Sequence, residues 1–154
     1  MEPKPMTQRR LEKFIDLMVQ TENLDEQIRR MKSSEKFPSM READGSSRQP
    51  GASDRMGNAI IKRLTLEEEL NEKIDANKAE MDAIRKAIWS LEKPKEQTVL
   101  WSKYIDWVDE DGTIRNLHWN EVAFKLYRND DEKDISRAKR LHNKALQNIR
   151  KVEI

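Results

Sequence analysis

The chain has 154 residues, 36% of them hydrophobic and 38% charged, with four glycines and no cysteine. That composition excludes a large mixed α/β core, disulfides and thiolate metal sites. A net charge of +1 conceals an uneven distribution: residues 106–134 hold nine acids and four bases, a balance of −5, whereas residues 135–152 hold six bases and no acid, +6.

The segment from Thr7 to about Lys32 consists of good helix formers. Phe14, Leu17, Thr21, Leu24, Ile28 and Met31 fall alternately three and four apart, the spacing of a coiled-coil seam, which Leu11 extends. "SSEKFPSMREADGSSRQPGAS", Ser33 to Ser53, has two prolines, two glycines and six serines and no periodicity, so it reads as a flexible linker.

Ser53 or Asp54 is the expected cap of a second helix running to about Leu91. Ile60, Glu67, Ile74, Met81 and Ile88 repeat every seven residues, interleaved with Arg63, Leu70, Asn77, Ile84 and Leu91. So long a helix with one narrow stripe needs a partner, either the first helix folded back or a second subunit. No apolar leader or membrane-length run is read, and a cytoplasmic location is expected.

Pro94 disfavours helix at Lys93 and suits the first turn of another, expected from Pro94 to about Val108. "DEDGT", Asp109 to Thr113, is a turn signal that leaves a short hairpin and a long loop both open. A short helix is predicted from Trp119 to Tyr127, with Val122, Ala123 and Leu126 inward. "RNDDEKD" follows as a turn, in which Asp131 or Asp134 caps a last helix reaching about Lys151.

Residues 94–151 thus have the outline of a helix-turn-helix unit, with the short helix bracing the last one and Ala123 allowing close approach. The last helix is expected to bury Ile135, Ala138, Leu141, Ala145 and Ile149. Ser136, Arg137, Lys139, Arg140, Asn143 and Lys144 then face outward as candidate DNA contacts. Arginine can bridge the acceptors of guanine, whereas lysines and serines more often hold phosphates. Arg137 and Arg140 are therefore the candidate base readers, with Lys139 and Lys144 as backbone clamps. The competing reading is a solvated helix whose cations answer the helix dipole.

His142 reads as a packing or capping residue and His118 as structural, at no spacing that suits zinc. Trp101, Tyr104, Trp107 and Trp119 read as the core of a small helical domain rather than as stacking platforms. The acidic turns lack the spacing of a calcium loop, and no phosphate loop, dinucleotide fingerprint or nucleophile motif supports catalysis. No cofactor is expected.

The same residues carry a likeness. "SLEKPKEQTVLWSKYIDW…WNEVAFKLY…SRAKRLHNKAL" resembles region 4 of bacterial sigma factors, where "W-x-E-[IV]-A" precedes a basic helix ending "R-x-H-x-x-A-L". Joined to "DRMGNAIIKRLTLEEELNEKIDANKAEMDAI", it is similar to small phage and prophage regulators akin to the RinA and ArpU late-gene activators, over about residues 54–150. Glu121, Val122 and Ala123 match the bracing helix of that family, and Arg140, His142, Ala145 and Leu146 match the end of its recognition helix. The loop between Trp107 and Trp119 and the turn "YRNDDEKD" are both longer than the family's.

From the residues, the expectation is an all-α protein: 1–93 a helical hairpin or coiled coil containing the flexible linker 33–53, and 94–154 a helix-turn-helix domain. The resemblance implies a sigma-region-4-like domain that binds double-stranded DNA selectively and activates phage or prophage genes in a bacterial host cell. Host RNA polymerase is an expected further partner, and the unpaired seam suits a homodimer. The rivals are a small terminase subunit and a structural coiled-coil adaptor that never touches DNA.

Overall fold

Thr7 opens the first helix, α1 (Gln8–Glu12), its side chain accepting the Arg10 amide at 3.3 Å. The computed structural model describes residues 2–35 and 52–154, so residues 36–51 of the expected linker lie outside the described residues. Helix α2 is Phe14–Glu35, α3 is Ala52–Trp89, α4 is Pro94–Leu100, α5 is Trp119–Tyr127 and α6 is Glu132–Ile149. A π-helical turn, Trp101–Ile105, continues α4. Strands β1 (Trp107–Glu110) and β2 (Thr113–Asn116) form an antiparallel hairpin. The fold is therefore largely α-helical, though not purely so.

By packing, the chain divides into two units: Met1–Met18 with Ala79–Ile154, and Val19–Lys78. This differs from the division expected at Lys93 and Pro94, because the chain ends are tied together. The Met6 amide donates to the Val152 carbonyl at 2.9 Å and the Ile154 amide to the Lys4 carbonyl at 3.1 Å. Arg10 reaches both carboxylate oxygens of Glu80, at 2.8 and 3.1 Å, and the Ile154 carbonyl at 3.2 Å.

The core of that unit draws on Met6, Leu11, Ile84, Ile88, Val99, Leu100, Val122, Ala123, Ala138, Ala145 and Ile149, all fully buried. Burying such side chains is its main stabilisation, roughly 1.5–3 kcal/mol for each larger aliphatic one. In the Val19–Lys78 unit, Leu24 and Ile28 of α2 pack with Leu70 and Ile74 of α3, and half-buried Met31 closes the cluster. Asn77 donates to Gln20 at 3.1 Å and Lys32 meets Glu67 at 3.3 Å, so residue numbers rise along one helix as they fall along the other. The heptad stripe of α3 is buried at Leu70 and Ile74, but Ile60 is 43% exposed, with Met56, Ile61, Leu64 and Leu66 also exposed.

Several predicted bounds move. The first helix breaks at Lys13, whose amide turns back to the Arg10 carbonyl at 3.2 Å, and α2 runs on to Glu35. Helix α3 is already formed at Ala52, ahead of the expected caps Ser53 and Asp54. It stops at Trp89, where Gln97 Nε2 satisfies the Trp89 carbonyl at 3.1 Å and, beyond the helix, the Leu91 carbonyl at 2.6 Å.

The helix expected to reach Val108 ends at Ile105. Asp106 is extended, and Asn116 Nδ2 supplies the Tyr104 and Asp106 carbonyls with donors at 3.4 and 3.5 Å. Asp111 and Gly112, at φ 53 and 82, then make a two-residue turn whose twist suits a hairpin. The hairpin option at "DEDGT" is the one adopted.

Candidate nucleic-acid interface

Helix α6 begins where Asp131 accepts the Asp134 amide at 2.9 Å. Arg128, Asn129, Asp130 and Asp131 alone separate it from α5, so the turn is shorter than the sequence suggested: Glu132, Lys133 and Asp134 belong to the helix. Arg128 makes the sharp exit from α5 in the left-handed conformation, φ 58 and ψ 23, its amide donating to the Phe124 carbonyl at 2.8 Å.

Four contacts fix the rotation of α6. Trp119 of α5 meets the His142 ring edge-on with centroids 5.0 Å apart. Tyr104 Oη lies 2.6 Å from His142 Nε2. Asn148 Nδ2 donates to both carboxylate oxygens of the buried Glu96, at 2.9 and 3.0 Å. Arg137 lies over the Tyr127 ring, 4.2 Å from its centroid, and pairs with Asp134 at 3.2 Å.

The buried stripe that results is Ala138, His142, Ala145, Leu146 and Ile149. Ile135 and Leu141, expected inside, are only half-buried. Either stripe satisfies helical spacing, and the imidazole is the one drawn in because Tyr104 and Trp119 supply a hydroxyl and an aromatic edge. Burial lowers the His142 pKa, Lys103 adding to the effect and the Asn143 side chain opposing it, so the ring is neutral at pH 7.

All six predicted contact residues, Ser136, Arg137, Lys139, Arg140, Asn143 and Lys144, are exposed on α6. They differ in freedom. Arg137 is held by Asp134, three residues back on the same helix, and by the Tyr127 ring across the turn, a contact that no local sequence signal announces. The Lys139 charge is felt by Lys103, whose pKa is lowered mainly by burial, with Glu121 opposing and Lys139 adding. Lys103 Nζ donates to the Leu117 carbonyl at 3.0 Å and lies 4.7 Å from the Trp119 ring centroid.

The bracing helix is anchored in turn. Glu121 accepts the His118 amide at 3.1 Å and Arg115 Nη1 at 2.8 Å, while Arg115 Nε reaches Glu110 at 2.7 Å. The His118 amide foremost, then Arg115, hold the Glu121 carboxyl below its ordinary pKa, against a contrary effect of burial. This clamp joins the hairpin to the start of α5.

The aromatic core is smaller than expected. Tyr104 is buried, Trp101 and Trp119 are half-buried, and Trp107 is exposed, because it lies on a hairpin strand rather than on a helix. Among the described residues there is no group of three His, Asp or Glu that could hold a metal ion, and no helix long and apolar enough to cross a membrane. No protein-family model, curated protein or solved structure matches the chain.

Proposed function

We propose that the protein binds double-stranded DNA through the exposed face of α6, with α5, the Arg128–Asp131 turn and α6 forming a sigma-region-4-like helix-turn-helix. The observation that carries this reading is the division of α6: Ala138, His142 and Ala145 face the core while every cation from Arg137 to Lys144 faces solvent. The turn between the helices matches the roughly 3–4 residues of such units.

The docking is shaped by charge. Asp130, Asp131 and Glu132 are exposed at the start of α6 and repel phosphates, so the middle of the helix, Ser136 to Lys144, enters the major groove rather than its tip. Arg140 is the free base reader. Arg137, steadied on Tyr127, and Lys139 and Lys144 hold the backbone. Two copies reading paired half-sites follow from the long seam of α3, activation of phage or prophage genes with host RNA polymerase follows from the sequence resemblance, and both belong to the same proposal.

The test is a selection of bound fragments from random duplex DNA, followed by affinity measurements across salt. Wild type should yield a shared motif and a steep salt dependence. Lys144→Ala should weaken all duplexes and reduce the salt slope by about one, whereas Arg140→Ala should cost about 1–3 kcal/mol on the selected motif and relax selectivity. If no motif emerges and both variants bind as wild type does, the reading fails.

A further inference from the structure

A groove of about 550 Å³ lies where the end of α3 meets α4, the π turn and α5, away from the α6 contacts. Ile88, Trp89, Thr98, Trp101, Ser102 and Arg128 line it, and its size is that of a site enclosing a side chain or small ligand. Trp89 is 61% exposed, its ring 5.0 Å from that of Trp101 at a tilt of 48°.

Most polar groups here are engaged within the fold. Gln97 holds the Trp89 and Leu91 carbonyls, the Thr98 hydroxyl donates to the Pro94 carbonyl at 2.9 Å, and Lys125 pairs with Asp106. Two groups are left over. Ser102 lines the groove on a residue 2% exposed, and its hydroxyl has no hydrogen-bond partner among the described residues. The Arg128 guanidinium has no partner among them either, although this residue occupies a left-handed position where glycine is favoured.

We propose that the groove docks a short acidic segment of a partner protein carrying a tyrosine or tryptophan. The anchor ring lies against Trp89 and Trp101, its hydroxyl or ring N–H meets the Ser102 hydroxyl, and a neighbouring carboxylate pairs with Arg128. A purely aliphatic anchor would leave Ser102 buried without a partner. A nucleic-acid strand fits less well. Lys125 is already neutralised, Asp106 repels phosphate, and one free arginine is too little to track a charged backbone. Aromatic and arginine contacts of this kind carry most of the affinity in protein interfaces.

The test is a selection of short random peptides on the full chain, with binding then followed through the indole N–H resonances of Trp89 and Trp101. Arg128→Gly suits the left-handed backbone and Trp89→Ala changes a mostly exposed side chain, so both variants should fold. The selected peptides should carry tyrosine or tryptophan beside aspartate or glutamate and shift both indole signals. They should bind each variant at least about tenfold more weakly, as loss of an anchor contact predicts. Ser102→Ala should weaken them less, and should not weaken versions with phenylalanine as the anchor.

The proposal is overturned if no peptide is enriched, or if the enriched ones are basic, lack an aromatic, or bind the variants as tightly as wild type. It is also overturned if duplex DNA displaces them and shifts the same indole signals. Arg128 belongs to the turn before α6, so duplex affinity of Arg128→Gly is measured beside its peptide affinity, whereas Trp89 lies outside that unit and the Trp89→Ala result stands apart from that of the DNA experiment.

Discussion

The Tyr104 hydroxyl lies 2.6 Å from His142 Nε2, and Gln8 Nε2 donates to the same hydroxyl at 3.2 Å. The hydroxyl oxygen has room for the Gln8 amide and a second donor, so which of hydroxyl and imidazole gives the proton follows the His142 tautomer. Burial, foremost, pushes the Tyr104 pKa up to about 12, so the phenol keeps its proton at all ordinary pH values. Tyr104→Phe keeps the ring but leaves Nε2 without its hydrogen-bond partner, on a residue that is buried. The expected cost is about 1–2 kcal/mol, read as a lower urea midpoint at unchanged slope. An unchanged midpoint would refute the role given to this bond.

The same site makes stability depend on pH. The unfolded chain protonates His142 at about pH 6.5, while the folded chain does so only at lower pH, because burial lowers the value. Between those two points the unfolded state binds more protons. Stability is therefore complete above about pH 6.5 and declines as pH falls toward the folded value. Glu121, held below its ordinary pKa, titrates at more acid pH than the unfolded His142 does. Urea unfolding at about pH 7.5 and pH 5.5 should show the decline in wild type, and His142→Gln should abolish most of it.

Glu96 and Asn148 form the second clamp on α6. The carboxylate is 1% exposed and receives two contacts from one amide group. Asn148→Leu removes them and leaves the carboxylate buried, at an expected cost of about 3 kcal/mol. Pairing it with Glu96→Leu removes the stranded charge, so the double variant should be more stable than Asn148→Leu alone. Thermal unfolding of the two variants decides the matter, and a double variant that is the less stable of the two would mean the carboxylate finds other support.

What the sequence made legible follows from how local each signal is. Ala138, Ala145 and Ile149 were readable as the inner face of α6, because helical spacing selects them under either rotation. His142 was readable as a packing or capping residue, but not as the one that takes the place expected of Leu141, since that choice depends on Tyr104, thirty-eight positions away along the chain. The hairpin turn announced itself through Asp111 and Gly112, whereas its strands did not. Trp107 and Val108 look like the continuation of a helix until Asn116 is seen to satisfy the carbonyls at its end. Met6 in the core is the plainest miss: "MEPKPMTQ" has no period, and its place depends on the far end of the chain. For the candidate interface, the cations were legible from the acid-free run, while the ring that steadies Arg137 was not.

The long seam of α3 leads to the last prediction. Lys32 meets Glu67, so the described part of α2, ending at Glu35, stops about one turn further along α3, abreast of Leu64. Met56, Ile60 and Ile61 lie beyond that point and are exposed together with Leu64. A cluster of this kind is what a second subunit would cover. If two copies associate here, Ile61→Glu with Leu64→Glu places four like charges in the shared face and should return the protein to a monomer. Light scattering should then give two chains for wild type and one for the variant, and affinity for paired half-sites should fall while that for a single half-site holds. A wild-type monomer would end the dimer proposal, and a closed ring of about eight or more subunits would favour the packaging-protein alternative over an activator.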